Sequence, residues 1–442
     1  MRILSLFSLS AALLLLTACE NDLSQTPPNI ASSNSLTDFA GVLNAAYYYQ
    51  IGSVTPLAVM GDFRADNAFM IEPPYTEFDE FDSDLTVMDD QFFGPFYTAL
   101  YKSILSANNV IENSEDATEV GEAQFLRALS YFKLVKVFGD VPVNLSATPS
   151  ATDASILTRQ PAESIYDNVI IPDLNDAIAA LDNSGISAGR ASRLAAQALL
   201  GKTYAQRGDY QSAEAPLTAV VSNAAAAGVM LQENYADIFG TRNDLNSEII
   251  FATQINASIV DEYGFSEFWS WYGGLDTKSL TPLDTSLIEA FGGRNSEDLR
   301  FPVVIDTTSF TDSDKYPQDG GPDHDWIELR LADIILLYAE TLNETGSSPA
   351  EVLALLDPIR ERAGLDPLDP SEVNTQDEVR DAILLERRLE LAFEGQRWFD
   401  LVRTDTVEEA LGVPVSRNYY LFPIPVSEVL ASFGVITQNE GY

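Results

Sequence analysis

The residues of this 442-residue chain that could do chemistry are clustered aromatics, aligned glutamates, one histidine and one cysteine. The densest group is "DEYGFSEFWSWYGG" (261–274), with Tyr263, Phe265, Phe268, Trp269, Trp271 and Tyr272 in one segment. Sugar rings have apolar C–H faces, which flat aromatic rings cover while polar groups at the rim hold the hydroxyls. Trp269 and Trp271 point the same way if the segment is extended, and Gly273-Gly274 lets the loop shape itself. A second cluster, "FMIEPPYTEF" (69–78), offers Tyr75 after Pro-Pro. The expected ligand-contacting residues are therefore Tyr75, Tyr263, Phe268, Trp269, Trp271 and Tyr272. The competing reading is a small hydrophobic cluster that pins the loop down.

Glu386, Glu390 and Glu394 recur at i, i+4 spacing on one helix face. A glycosidase needs an acid and a base across a cleft. Arg387, Arg388 and Arg397 are adjacent, however, and suggest salt bridges that lock the helix. His324, the sole histidine, lies in "GGPDHDW", with no spacing that assembles a triad around it. A lone loop histidine reads as solvated. "DTTSFTDSDKYPQDGGPDHD" (306–325) is rich in oxygen ligands but lacks the order of an EF-hand. It reads as a solvated acidic loop; calcium stays open, and no other cofactor is expected.

Cys19 is the only cysteine, which excludes an internal disulfide and a thiolate metal cluster. Before it come Met1-Arg2 and an apolar run to Leu16, the layout of a secretory signal over 1–18. Leu16-Thr17-Ala18-Cys19 resembles a bacterial lipobox, in which the cysteine carries lipid; the plainer alternative is an ordinary signal peptide with a chance cysteine. Residues 19–34 read as a polar tether. The 67 acidic and 25 basic residues give a net charge of −42. Such a surface repels nucleic-acid phosphates and anionic lipid alike, so no nucleic-acid partner is expected. Attachment to a membrane would rest on acyl chains.

The elements that must position these groups are mostly helical. Helical spacing covers 36–49, 95–113 and 121–140, the last stopped by Gly139. In "AAQALLGKTYAQRGDYQSAEAPLTAVV" (195–221), Leu200-Gly201, Tyr204, Gly208 and Ala213 fit a tetratricopeptide pair, small Gly201 and Ala213 letting two helices approach. A second candidate pair is 328–344 with 349–363. Thr375 and Glu378 make a capping box for a helix running to Gly395. Residues 228–325 lack helical period, and "SEIIFATQI" (247–255) is the one good strand candidate there.

With these elements in place, "EAQFLRALSYFKLVKVFGDVPV" (122–143), "LRLADIILLYAETLNETG" (329–346), "ERRLELAFEGQRWFDLVR" (386–403), "LFPIP" (421–425) and "QNEGY" (438–442) together resemble the SusD/RagB family of nutrient-binding outer-membrane lipoproteins. The resemblance implies a mostly α fold, a helical frame of tetratricopeptide-like pairs with a loop-rich ligand-binding side. It places one SusD-like domain over 35–442, with an N-terminal part to about 227, the loop-rich region 228–325 and a C-terminal part 326–442. It implies an oligosaccharide ligand, a SusC-type TonB-dependent transporter as partner, an outer membrane reached through the lipid on Cys19, and no catalysis. Glu20 and Asp22 resemble the family's signal for the cell exterior, with Asn21 as a departure. Site aromatics of the family come from loops comparable to those of Tyr75 and Trp269–Tyr272, and Trp326 and Trp398 fall in its core segments. Open alternatives are a peptide-binding RagB-like lipoprotein, a carboxylate-dependent glycosidase and a tetratricopeptide scaffold that binds only protein.

Overall fold

Amphipathic helices bury their apolar stripes against one another. The computed structural model describes residues 38–149, 154–256, 261–262, 264–273, 283–317 and 323–442. The helices that carry the frame are α1 (Phe39–Tyr48), α2 (Gly94–Asn113), α3 (Ala117–Phe138), α4 (Ile171–Ala180), α5 (Arg193–Gln206), α6 (Tyr210–Asn223), α7 (Leu331–Glu344), α8 (Pro349–Arg362), α9 (Gln376–Leu391) and α10 (Arg397–Arg403). From α1 to α7 each packs on the next, and α7 then holds both α8 and α9. The fold is mostly α, in line with the sequence reading. Cys19, the signal segment and the whole of the 19–34 tether lie outside the described residues. No helix among the described residues is long and apolar enough to cross a membrane.

Local signals set the helix ends. The Asp116 carboxylate accepts from the amides of Thr118 and Glu119 at the start of α3, and Gly139 closes that helix at φ 71°. Reciprocal capping boxes start α8 (Ser348, Glu351) and α9 (Thr375, Glu378). In the α5–α6 pair a Cβ on Gly201 would lie 2.4 Å from Leu217 Cδ2, so only glycine permits this approach. Helix α9 ends at Leu391 rather than at Gly395, because the amides of Phe393 and Gly395 turn to the buried Asp62 carboxylate (3.2 and 2.8 Å).

Two antiparallel ribbons complete the frame: β1 (Val141–Pro142) with β2 (Arg159–Gln160), and β3 (Ile249–Thr253) with β4 (Trp326–Arg330). Strand β3 is the one expected in 247–255. Strand β4 occupies residues expected to open a helix at 328; Arg330 is still extended, and the Leu331 amide donates to the Glu248 carbonyl at 3.0 Å before α7 begins. Pairing of Ile249 with Arg330 and Thr253 with Trp326 brings together the two ends of the excursion that carries the aromatic segment.

Candidate functional site

The two aromatic clusters read separately from the sequence meet in space. Tyr75 and Trp271 stand edge to face, with ring centroids 5.4 Å apart at 69°. Both rest on Phe92, at 6.5 and 5.7 Å. Tyr75 and Trp271 are half-buried, whereas Phe92 is fully buried and forms the floor. The Gln91 amide donates to the Tyr75 hydroxyl at 3.0 Å and orients that ring. Exposed Phe69 and Ile71 continue the apolar surface along the same loop. Phe92 and Gln91 were not anticipated, since "QFFGPF" reads as the entry to a core helix; nothing local marks Phe92 as a floor for a distant loop.

The loop of Tyr75 is fixed from below. The Asp79 carboxylate accepts from the Met70 amide at 2.9 Å, and burial, aided by Asp284 and Glu80, pushes its pKa up to about 7. Arg64, wholly buried, donates to the carbonyls of Phe78 (3.1 Å) and Tyr419 (2.8 Å) and to the Tyr442 hydroxyl (3.3 Å). Its guanidinium lies over the rings of Phe81, Trp398 and Phe422. One cation thus gathers three signature segments under the site loop, and Trp398 and Trp326 are core as expected.

The aromatic segment itself departs from expectation. Phe268–Trp271 is one turn of 3₁₀ helix, closed by Ser270 N–H to the Glu267 carbonyl, so Trp269 and Trp271 do not share a face by alternation. Phe268 is fully buried, edge-on to Tyr316 and Trp326 at 5.0 Å each. Tyr272 stacks between Phe63 (5.5 Å) and Tyr316 (5.8 Å). Its hydroxyl donates to Asp62 at 3.2 Å, and burial holds its pKa well above the ordinary value. Trp269 keeps 9% of its surface and packs against His324. Phe268 and Tyr272 therefore act as pillars of the loop, not as stacking platforms, because both their faces are occupied. Trp271 alone of the described segment reaches the Tyr75 surface. Tyr263 lies outside the described residues.

The aligned glutamates are committed to ion pairs, as expected, but with other partners. Glu386 and Glu390 receive Arg300 at 2.6 and 3.1 Å, and Glu390 and Glu394 each receive Arg330 at 2.7 Å. Arg362 also pairs with Glu390, and Lys315 with Glu394 at 2.6 Å. Arg387, Arg388 and Arg397 turn elsewhere: Arg387 to Asp333 and Asp400, the other two to Asp66. Side chains one position along a helix do not share a face, so sequence adjacency misassigned them. Despite complete burial, the surrounding guanidiniums hold the Glu390 carboxyl far below the usual range, so it has no proton to give as an acid.

His324 is not solvated; it is 2% exposed, between Trp269 and Tyr316. In the 306–325 stretch, Asp306 spends its carboxylate on the amides of Thr308 and Ser309 (2.7 and 3.3 Å), an Asx-type turn. Glu77, Glu80 and Asp82 each bring an oxygen within 4.8 Å of the others, but they are partly or fully exposed and read as a solvated acidic turn.

A helix-pair frame that presents aromatics on a loop excursion is the architecture to be placed, and comparison with known proteins gives the family it resembles. A family model described as "SusD family" matches residues 290–415, and one described as "Starch-binding associating with outer membrane" matches residues 19–205. A SusD-like protein of Formosa agariphila is 27% identical, with 92% of each chain covered. A SusD-like protein of Bacteroides ovatus is 26% identical, over 82% of this chain and 74% of its own. Among solved structures, a laminarin-binding SusD-like protein superposes with TM-score 0.73 at 25% identity, covering 92% of this chain and 99% of its own. A SusD superfamily protein from Parabacteroides distasonis gives TM-score 0.74 at 21% identity, over 93% and 100%. The chain is thus similar to the SusD family in sequence over residues 19–205 and 290–415, and shares the fold of SusD superfamily structures.

Proposed function

We propose that this protein captures an oligosaccharide at the cell surface and hands it to a SusC-type TonB-dependent transporter. It is held to the outer membrane by lipid on Cys19 and performs no catalysis. The observation that carries the reading is the half-exposed Tyr75–Trp271 pair on its Phe92 floor, at the meeting point of two loops. Such a pair presents flat apolar area to a sugar ring while the polar loop edges remain for hydroxyls. Two facts about relatives support it: the matched family description names starch binding with outer-membrane association, and a structural neighbour binds laminarin. The pairing of Glu386, Glu390 and Glu394 with guanidiniums removes the strongest carboxylate candidates for glycoside hydrolysis.

The test is isothermal calorimetry of the purified protein against laminarin and a panel of other soluble glycans, with Trp271→Ala and Tyr75→Ala alongside. Binding to one glycan class, weakened about tenfold in each variant, is expected for the loss of about 1.4 kcal/mol of stacking. Unchanged affinity in both variants would remove the pair from the site. Release of reducing ends at sustained turnover would overturn the non-catalytic reading.

A further inference from the structure

The tyrosine run at the end of α1, Tyr47-Tyr48-Tyr49, is not used by the Tyr75–Trp271 platform. Tyr47 and Tyr48, both half-buried, stand with Asn44 along one side of a cleft of about 270 Å³. Small-molecule pockets begin near this size, at about 300 Å³. Phe251 to Thr253 of β3 and then Gln254 form the other side, and the turn 188–190 forms the lip. These walls are tied to one another. The Tyr47 hydroxyl donates to Glu122 and accepts from the Ala191 amide at 2.9 Å. Arg190 lies over the Tyr47 ring at 4.4 Å; its Nε donates to Glu122 and its Nη1 to the Asn44 side-chain oxygen, each at 2.7 Å. From the strand side the Gln254 amide donates to the carbonyls of Ala188 and Gly189 at 3.1 and 3.0 Å. A Cβ on Gly189 would overlap that amide, so glycine lets the turn meet the strand. A cleft built in advance spares a ligand much of the ordering cost of binding.

The lining selects the ligand. The chain has 67 acidic residues, yet among the described residues none lines this cleft. The groove of similar volume beside α9, about 290 Å³, is by contrast lined by Asp66, Asp381 and Glu409. The one charged group of the cleft, Arg190, is matched by Glu122, so the space favours neither an anion nor a cation. The Asn44 amide nitrogen, the Arg190 Nη2 and the Gln254 amide oxygen make no hydrogen bond among the described residues. Two donors and an acceptor thus border the Tyr48 ring. A hydroxyl both donates and accepts, and planar amide and guanidinium groups suit neighbouring hydroxyls. We propose that this cleft is a second sugar site, which takes a neutral pyranose unit with its C–H face on Tyr48 and its hydroxyls on Asn44, Arg190 and Gln254. The proposal rests on the glycan reading of the protein but uses none of the platform residues. The Glu262 amide donates to the Tyr48 hydroxyl at 3.3 Å, so the segment that carries Trp271 starts at the rim of the cleft. Two sites served by one segment raise the avidity for a long glycan beyond that of either alone.

The experiment is calorimetry of the full chain against oligosaccharides of laminarin and of the other neutral glycans in the panel above. Tyr48→Ala and Ala188→Trp are measured beside Trp271→Ala. Ala188 is exposed at the lip, so tryptophan there fills the cleft and removes no polar group. Two sites per chain are expected in the unmodified protein. One of them should weaken about tenfold in Tyr48→Ala and vanish in Ala188→Trp, while Trp271→Ala keeps it. Binding that both cleft variants leave unchanged, but that Trp271→Ala weakens, overturns the second site and keeps the platform. Loss in the cleft variants with no effect of Trp271→Ala supports the cleft and removes the platform. No binding of any neutral glycan overturns the proposal. Should Tyr48→Ala fail to fold, Ala188→Trp decides alone: a site count that stays at that of the unmodified protein refutes the cleft.

Discussion

Substituting Glu390 by glutamine tests whether the aligned glutamates are structural or catalytic. Glu390 is fully buried and receives Arg300 at 3.1 Å, Arg330 at 2.7 Å and Arg362. The network around it balances: Arg300, Lys315, Arg330, Arg360 and Arg362 face Asp298, Glu248, Glu386, Glu390 and Glu394. The amide has the shape of the carboxylate, so packing is unchanged and the effect is electrostatic. It leaves one guanidinium charge uncompensated in the core, which costs about 3–5 kcal/mol, a large share of the roughly 5–15 kcal/mol by which a native protein is stable. Adding Arg362→Gln restores the charge balance, and the double variant should lose about 1–3 kcal/mol less than the sum of the two singles. Urea unfolding followed by circular dichroism measures all three. A single-variant loss below about 1 kcal/mol would refute the buried-network argument. A catalytic glutamate gives the opposite pattern, in which Glu390→Gln keeps its stability and abolishes turnover.

Phe268→Ala should lower stability by about 3–5 kcal/mol by emptying a pillar between Tyr316 and Trp326, whereas Trp271→Ala should leave the melting temperature nearly unchanged and weaken glycan binding; equal melting temperatures for the two would undo the division into pillar and platform. Burial raises Asp62 to about 6, and Asp79 and Asp325 to about 7, from an ordinary 3.8. The folded state therefore holds these protons more tightly than the unfolded chain, and this stability, complete below about pH 4, is lost as pH rises to about 7. Melting temperature should fall between about pH 5 and pH 7, with Asp79→Asn flattening the upper part; a rising profile over that range contradicts this. In Gly61→Ala the new Cβ would lie 2.3 Å from the Gly395 carbonyl carbon, a backbone clash expected to cost about 3 kcal/mol or more, read as a lowered urea midpoint. Metabolic labelling with palmitate should be lost in Cys19→Ala, and retained labelling would end the lipid-anchor reading.

Helix periodicity was legible because it is local: Ser348, Thr375 and Gly139 announce ends that the structure keeps. Gly201 and Ala213 announced a close helix pair for the same reason. The aromatic cluster was legible as a cluster but not as a division of labour. Whether Trp269 and Trp271 share a face depends on the backbone turn at 268–271, and that turn is held by partners as distant as Asp62, Phe63 and Tyr316. The same limit explains the arginines. Salt bridges to the glutamates were expected, but the true partners lie up to 90 residues upstream in sequence, at Arg300, Arg330 and Arg362. Strand β4 escaped notice because "WIELR" gains its extended form from pairing with β3, a contact that spans the whole loop-rich excursion.

That pairing has an evolutionary consequence. Because β3 and β4 clasp the excursion at its neck, lengthening the chain within it adds little closure entropy and leaves the helical frame in place. Not all of it can drift, however. Phe268, Tyr272, Arg300, Lys315 and Tyr316 reach back from the excursion into the core and must keep their places. Among the described residues of the excursion, change that leaves the core intact is confined to stretches between these moorings, such as the surface around Trp271. Exchange of side chains there would alter the exposed aromatic surface while the helical frame stays the same.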